Sequence, residues 1–176
     1  MKYLYVYILL LVSAALVPGT GTAQPRSVGG VFSFSGAEVS YQHSNSESTF
    51  FEINAGIDFC GVLDGQVASP GVRAGFTYNF NIWGHEFGTG VFSVLAGIGC
   101  SAGYVRQTGM SFGPMAGLAG KIGIEYLFKV PVILSLDFTP VLGMHLEGQG
   151  SGSLLKVYQE GIIKAYYPRL GIRYVF

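Results

Sequence analysis

Nine charged residues of this chain obey one rule. Glu38, Glu52, Asp58, Arg73, Lys121, Glu125, Asp137, Arg169 and Arg173 are each flanked by apolar side chains or by glycine. Side chains of a β-strand alternate between its two faces with period two. Each segment therefore has one apolar face and one face that takes all of its charge. In 50–61, for example, Phe51, Ile53, Ala55, Ile57 and Phe59 oppose Glu52, Asn54, Gly56 and Asp58. A chain patterned this way must fold as sheet, with its charges gathered on one side.

The last twelve residues, AYYPRLGIRYVF, carry the same pattern in its sharpest form. Tyr166, Pro168, Leu170, Ile172, Tyr174 and Phe176 share one face, while Arg169, Gly171 and Arg173 lie on the other. A strand that sets charge in a wet interior and apolar groups in lipid reads like this.

Eight strands follow from the alternation: 28–35, 37–43, 50–61, 72–83, 91–106, 115–128, 132–141 and the C-terminal segment. The phase flips at Gly36, which calls for a tight turn or a bulge. HSNSES, GHEFGTG and the Lys129-Val130-Pro131 step read as short turns. VLDGQVASPG and the Gly/Ser-rich HLEGQGSGSLLKVYQEGIIK read as longer loops. An even strand count puts both termini on one side, the periplasmic one for a barrel in an outer membrane.

Composition narrows the fold class. Charged residues make up 11% of the chain, against about 25% for soluble domains, and there are 27 glycines. Residues 1–23 read as a secretory signal: Lys2, an apolar run over 3–17, a break at Pro18-Gly19, and cleavage after Ala23. Residues 24–176 then form one domain. No later uncharged run of helical character approaches 18 residues, which excludes spanning helices there. Acids and bases nearly balance, so there is no electrostatic footprint for nucleic acid. The expected fold is all-β: an eight-stranded antiparallel up-and-down transmembrane β-barrel. Closure pairs every backbone group, as lipid requires. The rival is a soluble sandwich or lipocalin-like barrel. Its charged face would meet solvent and carry more Lys and Glu, whereas Gly97, Gly99, Ser101 and Gly103 suit a narrow interior.

With LGIRYVF, GAEVSYQH and PVILSLDFTP in view, the chain resembles the small eight-stranded outer-membrane barrels, the OmpX-like and OmpA-transmembrane-like class. The resemblance covers essentially the whole chain after the signal, and its motifs are generic to the barrel. It implies a Gram-negative outer-membrane location, contact with outer-membrane lipid and lipopolysaccharide, and insertion by the barrel-assembly machinery. It makes Leu170, Ile172, Tyr174 and Phe176 an assembly signal. It implies a monomer with a structural or surface-interaction role, whose extracellular partner the motifs do not name.

Chemistry is sparse. Gly109-Met110-Ser111-Phe112-Gly113 matches GxSxG, but a nucleophile elbow needs a strand before the serine and a helix after it. Gly120-Lys121 lacks the spacing and the Ser or Thr of a phosphate loop. Cys60 and Cys100 have no metal-site spacing, and they fall on non-adjacent strands and opposite faces, so neither a metal nor a disulfide is expected. No cofactor is expected. A lipid A-modifying enzyme would need a His near a Ser at the outer leaflet. His43 sits at the wrong end for that, and His145, Glu147 and Ser151 fall in a loop with nothing to shape them. A narrow porin-like channel is the other alternative. Eight strands leave an interior that side chains fill, and the inward acids and bases would pair across it. The reading is non-enzymatic, with a side-chain-filled lumen.

Overall fold

The computed structural model describes residues 25–59, 70–106, 112–149, 152–163 and 168–176. The signal segment, its cleavage site, Cys60, residues 109–111 and Ser151 lie outside them.

The described chain forms ten strands and one helical turn. They are β1 (Arg26–Ser33), β2 (Gly36–Ser44), β3 (Thr49–Asp58), β4 (Gly71–Phe87), β5 (Gly90–Arg106), β6 (Phe112–Phe128), β7 (Val132–Phe138), β8 (Val141–Gln149), β9 (Gly152–Val157), α1 (Glu160–Ile163) and β10 (Arg169–Val175). Every pairing is antiparallel, and the order β5-β4-β3-β2-β1-β10-β7-β6 closes on itself through β6 against β5. The result is a ring of eight strands, an up-and-down β-barrel.

Two of the eight staves are built from two pieces each. β7 and β8 both ascend along β6, and the backbone between them stays in the wall because Gly120 N–H donates to the Pro140 carbonyl at 2.9 Å. Proline has no N–H to give the ladder, so the strand breaks at Thr139-Pro140 rather than running on. β9 descends beside β8 and β10 descends beside β7. Between those stretches the descending chain makes the α1 turn. The Gly/Ser-rich stretch expected as a loop is thus largely hairpin. Val141, Gly143 and His145 face inward while Leu142, Met144 and Leu146 face out.

Other boundaries shift for identifiable reasons. Gly36 is the end of a two-residue turn, Phe34-Ser35, with Ser33 opposite Gly36. A Cβ at Gly36 would lie 2.3 Å from the Ile57 carbonyl oxygen, which is why the turn exit is glycine. β4 runs past residue 83 to Phe87. A register shift between Asn81 and Trp83 hides the continuation by changing the alternation phase. The GHEFGTG turn shrinks to Gly88-Thr89.

The faces are inverted relative to a soluble protein. Val39, Ile53, Phe76, Ile122, Leu142 and Ile172 are exposed on the outer wall, and Ile98 and Leu118 are 69% and 71% exposed. The interior holds the polar and charged side chains. At the barrel end away from Pro25 and Phe176, Val105, Met115, Ala119, Val141 and Tyr158 form a small apolar cluster.

Candidate functional site

Inward positions of six strands converge on one ion network at mid-barrel. β3 brings Glu52, β6 brings Lys121 and Glu125, and β10 brings Arg169 and Arg173. β2 adds Glu38, β4 adds Arg73, and β7 adds Asp137. Each position follows from the period-two rule, so glycine or small neighbours leave room for long side chains to reach across the lumen.

Glu52 is the hub. Lys121 Nζ lies 2.5 Å from it, Arg173 Nη2 3.2 Å and Arg169 Nη2 3.6 Å. Arg169 also contacts Asp137 at 2.9 Å and Glu38 at 3.1 Å. Arg73 closes a further ion pair with Glu38. Lys121 reaches Asp137 at 3.6 Å, and Arg173 reaches Glu125 at 3.4 Å. Four acids and four bases are thus linked, with no excess of either sign. Buried charges need this pairing plus hydrogen bonds to their remaining lone pairs and protons. Polar side chains supply them. Arg173 donates to Ser40 Oγ at 3.0 Å and to Ser135 Oγ at 2.8 Å. Gln42 donates to Glu125 at 2.8 Å and to Glu52 at 3.3 Å, and Asn54 donates to Glu38 at 2.8 Å.

Eight of the nine inward charges named from the sequence therefore meet in one network. Asp58 is buried as well, but beyond the Glu38–Arg73 pair, opposite Gly36 and Gly71. Leu170, Ile172 and Tyr174 are exposed on the outer wall of β10. Phe176 closes the seam with β1: its N–H donates to the Arg26 carbonyl at 2.8 Å and its carbonyl accepts from Arg26 N–H at 3.2 Å.

Ser40, Gln42 and Ser135 lie on the polar face by the same alternation, yet nothing in a single strand says which charge each will meet. The apolar cap was missed outright. His145 is no loop residue: β8 buries it, it stacks on Tyr158 with centroids 6.5 Å apart, and its Nε2–H donates to the Val105 carbonyl at 3.0 Å. Its signal was the Val141, Gly143, His145 alternation, diluted by glycine. Glu147 lies in β8. His43 is at the end where β1 begins and β10 finishes, opposite Arg26, stacked on Tyr41 and tilted against Phe51. Phe112 and Gly113 of the GxSxG match begin β6, and Lys121 is a buried ion-pair partner on the same strand. Cys100 is exposed on the outer wall.

No protein-family model matches this chain, and no curated protein matches it. Among solved structures, the N-terminal β-barrel domain of Pseudomonas aeruginosa OprF is similar, with a TM-score of 0.52. The match spans 86% of this chain and 96% of that one at 10% identity. At that identity the likeness speaks for the barrel fold. It agrees with the architecture expected from the sequence, while the finer placing among OmpX-like proteins has no family match behind it.

Proposed function

We propose that the chain is an integral outer-membrane β-barrel of a Gram-negative bacterium, non-enzymatic, with a closed lumen and a structural or surface-interaction role. One observation carries the reading: a closed barrel exposes a continuous coat of large aliphatic and aromatic side chains while burying its ion network. In water that coat would be an aggregation liability. In a bilayer it is the lipid-facing band that strands of a membrane barrel require. The likeness to the OprF barrel domain supports the barrel fold on which this reading rests.

The closed lumen follows from the network and the cap acting in series. Eight linked charges bridge mid-barrel, and Tyr158 and its apolar neighbours cover the far end. The non-enzymatic reading is supported by His145, which donates to a backbone carbonyl in the interior rather than facing lipid. Insertion by the barrel-assembly machinery, contact with lipopolysaccharide and cleavage after Ala23 belong to this proposal. The test is refolding into detergent or lipid, followed by gel migration with and without boiling. A heat-dependent shift is expected. A protein that stays soluble and monomeric without detergent overturns the reading.

A further inference from the structure

Below the ion network, on the side of Pro25 and Val175, the barrel opens into a cavity of about 720 Å³. That size falls within the range of small-molecule sites. Its wall is apolar on several sides, from Phe50, Val91, Leu127, Ile133 and Val175. Among the described residues two carboxylates, Glu47 and Glu125, line it, and no lysine or arginine does.

Glu125 is the least neutralised acid of the network. Glu52 has three cations within 4 Å, and Glu38 and Asp137 have two each. Glu125 has one, Arg173 at 3.4 Å, and Arg173 lies closer to Glu52, at 3.2 Å. Gln42 donates to Glu125 at 2.8 Å, which orients the carboxylate without neutralising it. The acid with the weakest compensation is thus the one that faces the cavity.

We propose that this vestibule is a binding site for a small primary ammonium ion carrying an apolar body. The ammonium would donate to Glu125 at the floor, and the body would rest against the Phe50, Val91 and Leu127 wall. Charge-assisted hydrogen bonding in a partly desolvated site supplies affinity, and the apolar wall supplies the rest. An anion would meet Glu125 and Glu47, against which the network sets only Arg173, itself closer to Glu52.

Calorimetric titration of the refolded chain in detergent micelles tests this, with phenethylammonium as probe. 2-Phenylethanol and 3-phenylpropionate are the neutral and anionic controls. Phenethylammonium is expected to bind, with both controls at least roughly tenfold weaker. Glu125→Gln should weaken phenethylammonium by roughly tenfold, the worth of one charge-assisted contact. Ser93→Phe, which fills the cavity from β5 beside Glu125 and removes no charged side chain, should remove binding, and it serves as the arm to read if Glu125→Gln fails to refold. Equal binding of the neutral alcohol, affinity unchanged in the refolded variants, or no heat on adding phenethylammonium up to about 1 mM would each overturn the proposal.

Discussion

Lys121 lies between Glu52 and Asp137, and all three side chains are about 1% exposed. Removing its charge leaves two buried carboxylates to share the arginines. Lys121→Met should therefore destabilise the barrel by about 3–5 kcal/mol, read as a shift in the urea midpoint in lipid vesicles. A shift within the error of wild type would mean that the network re-pairs without it. Gly171 tests packing rather than charge. A Cβ there would lie 2.3 Å from Ser135 Oγ, the hydroxyl that accepts from Arg173. Gly171→Ala must displace that hydroxyl and should cost about 1–3 kcal/mol by the same measurement. The face on which Lys121 and Arg173 fall was legible from the sequence, because period two needs only neighbouring residues. Their partners were not. Lys121 on β6 meets Glu52 on β3, strands that are not adjacent in the ring, so the contact depends on lumen width and on the register of every strand between.

At the scale of the element, β10 is the strand whose outer face and seam the sequence announced most clearly. Ile172 sits between Gly30 of β1 and Leu134 of β7, exposed on the outer wall. Ile172→Arg should cost about 2–4 kcal/mol if that level is near the midplane of the bilayer. Unfolding measured in vesicles checks it, and tolerance equal to wild type would place the residue near an interface. Deleting Phe176 should reduce surface assembly more than folded stability, seen by comparing protease accessibility on cells with refolding in vitro. Unchanged surface levels would remove Phe176 from the assembly signal. The divided staves are the part of the wall that local sequence hides. A bulge near Asn81 changes phase within β4, and Pro140 interrupts the ladder between β7 and β8. Glycine carries no side chain to mark a face, so β8 and β9, rich in it, looked like a loop. Each is a case where local chemistry masks a strand that pairing with a long neighbour rescues.

The whole molecule is closed twice, by eight linked charges at mid-barrel and by Tyr158 with its neighbours at one end. Planar-bilayer recordings should show no large, steady conductance, and a reproducible open state would contradict the closed lumen. The ring also has a consequence in the order of events by which it forms. Its last seam joins residues 27–32 to 170–175, the most distant pairing in the chain. Contacts so far apart in sequence are entropically slow to make. Two of the four bases, Arg169 and Arg173, travel on that final strand. A sheet still lacking β10 would hold Glu38, Glu52, Glu125 and Asp137 against only Arg73 and Lys121. Such a species carries uncompensated negative charge in a narrowing interior and gains neutrality in the step that zips the seam. Partly wound forms are thereby kept sparse, and the barrel should fold and unfold as a single cooperative unit, its last strand acting as an electrostatic latch.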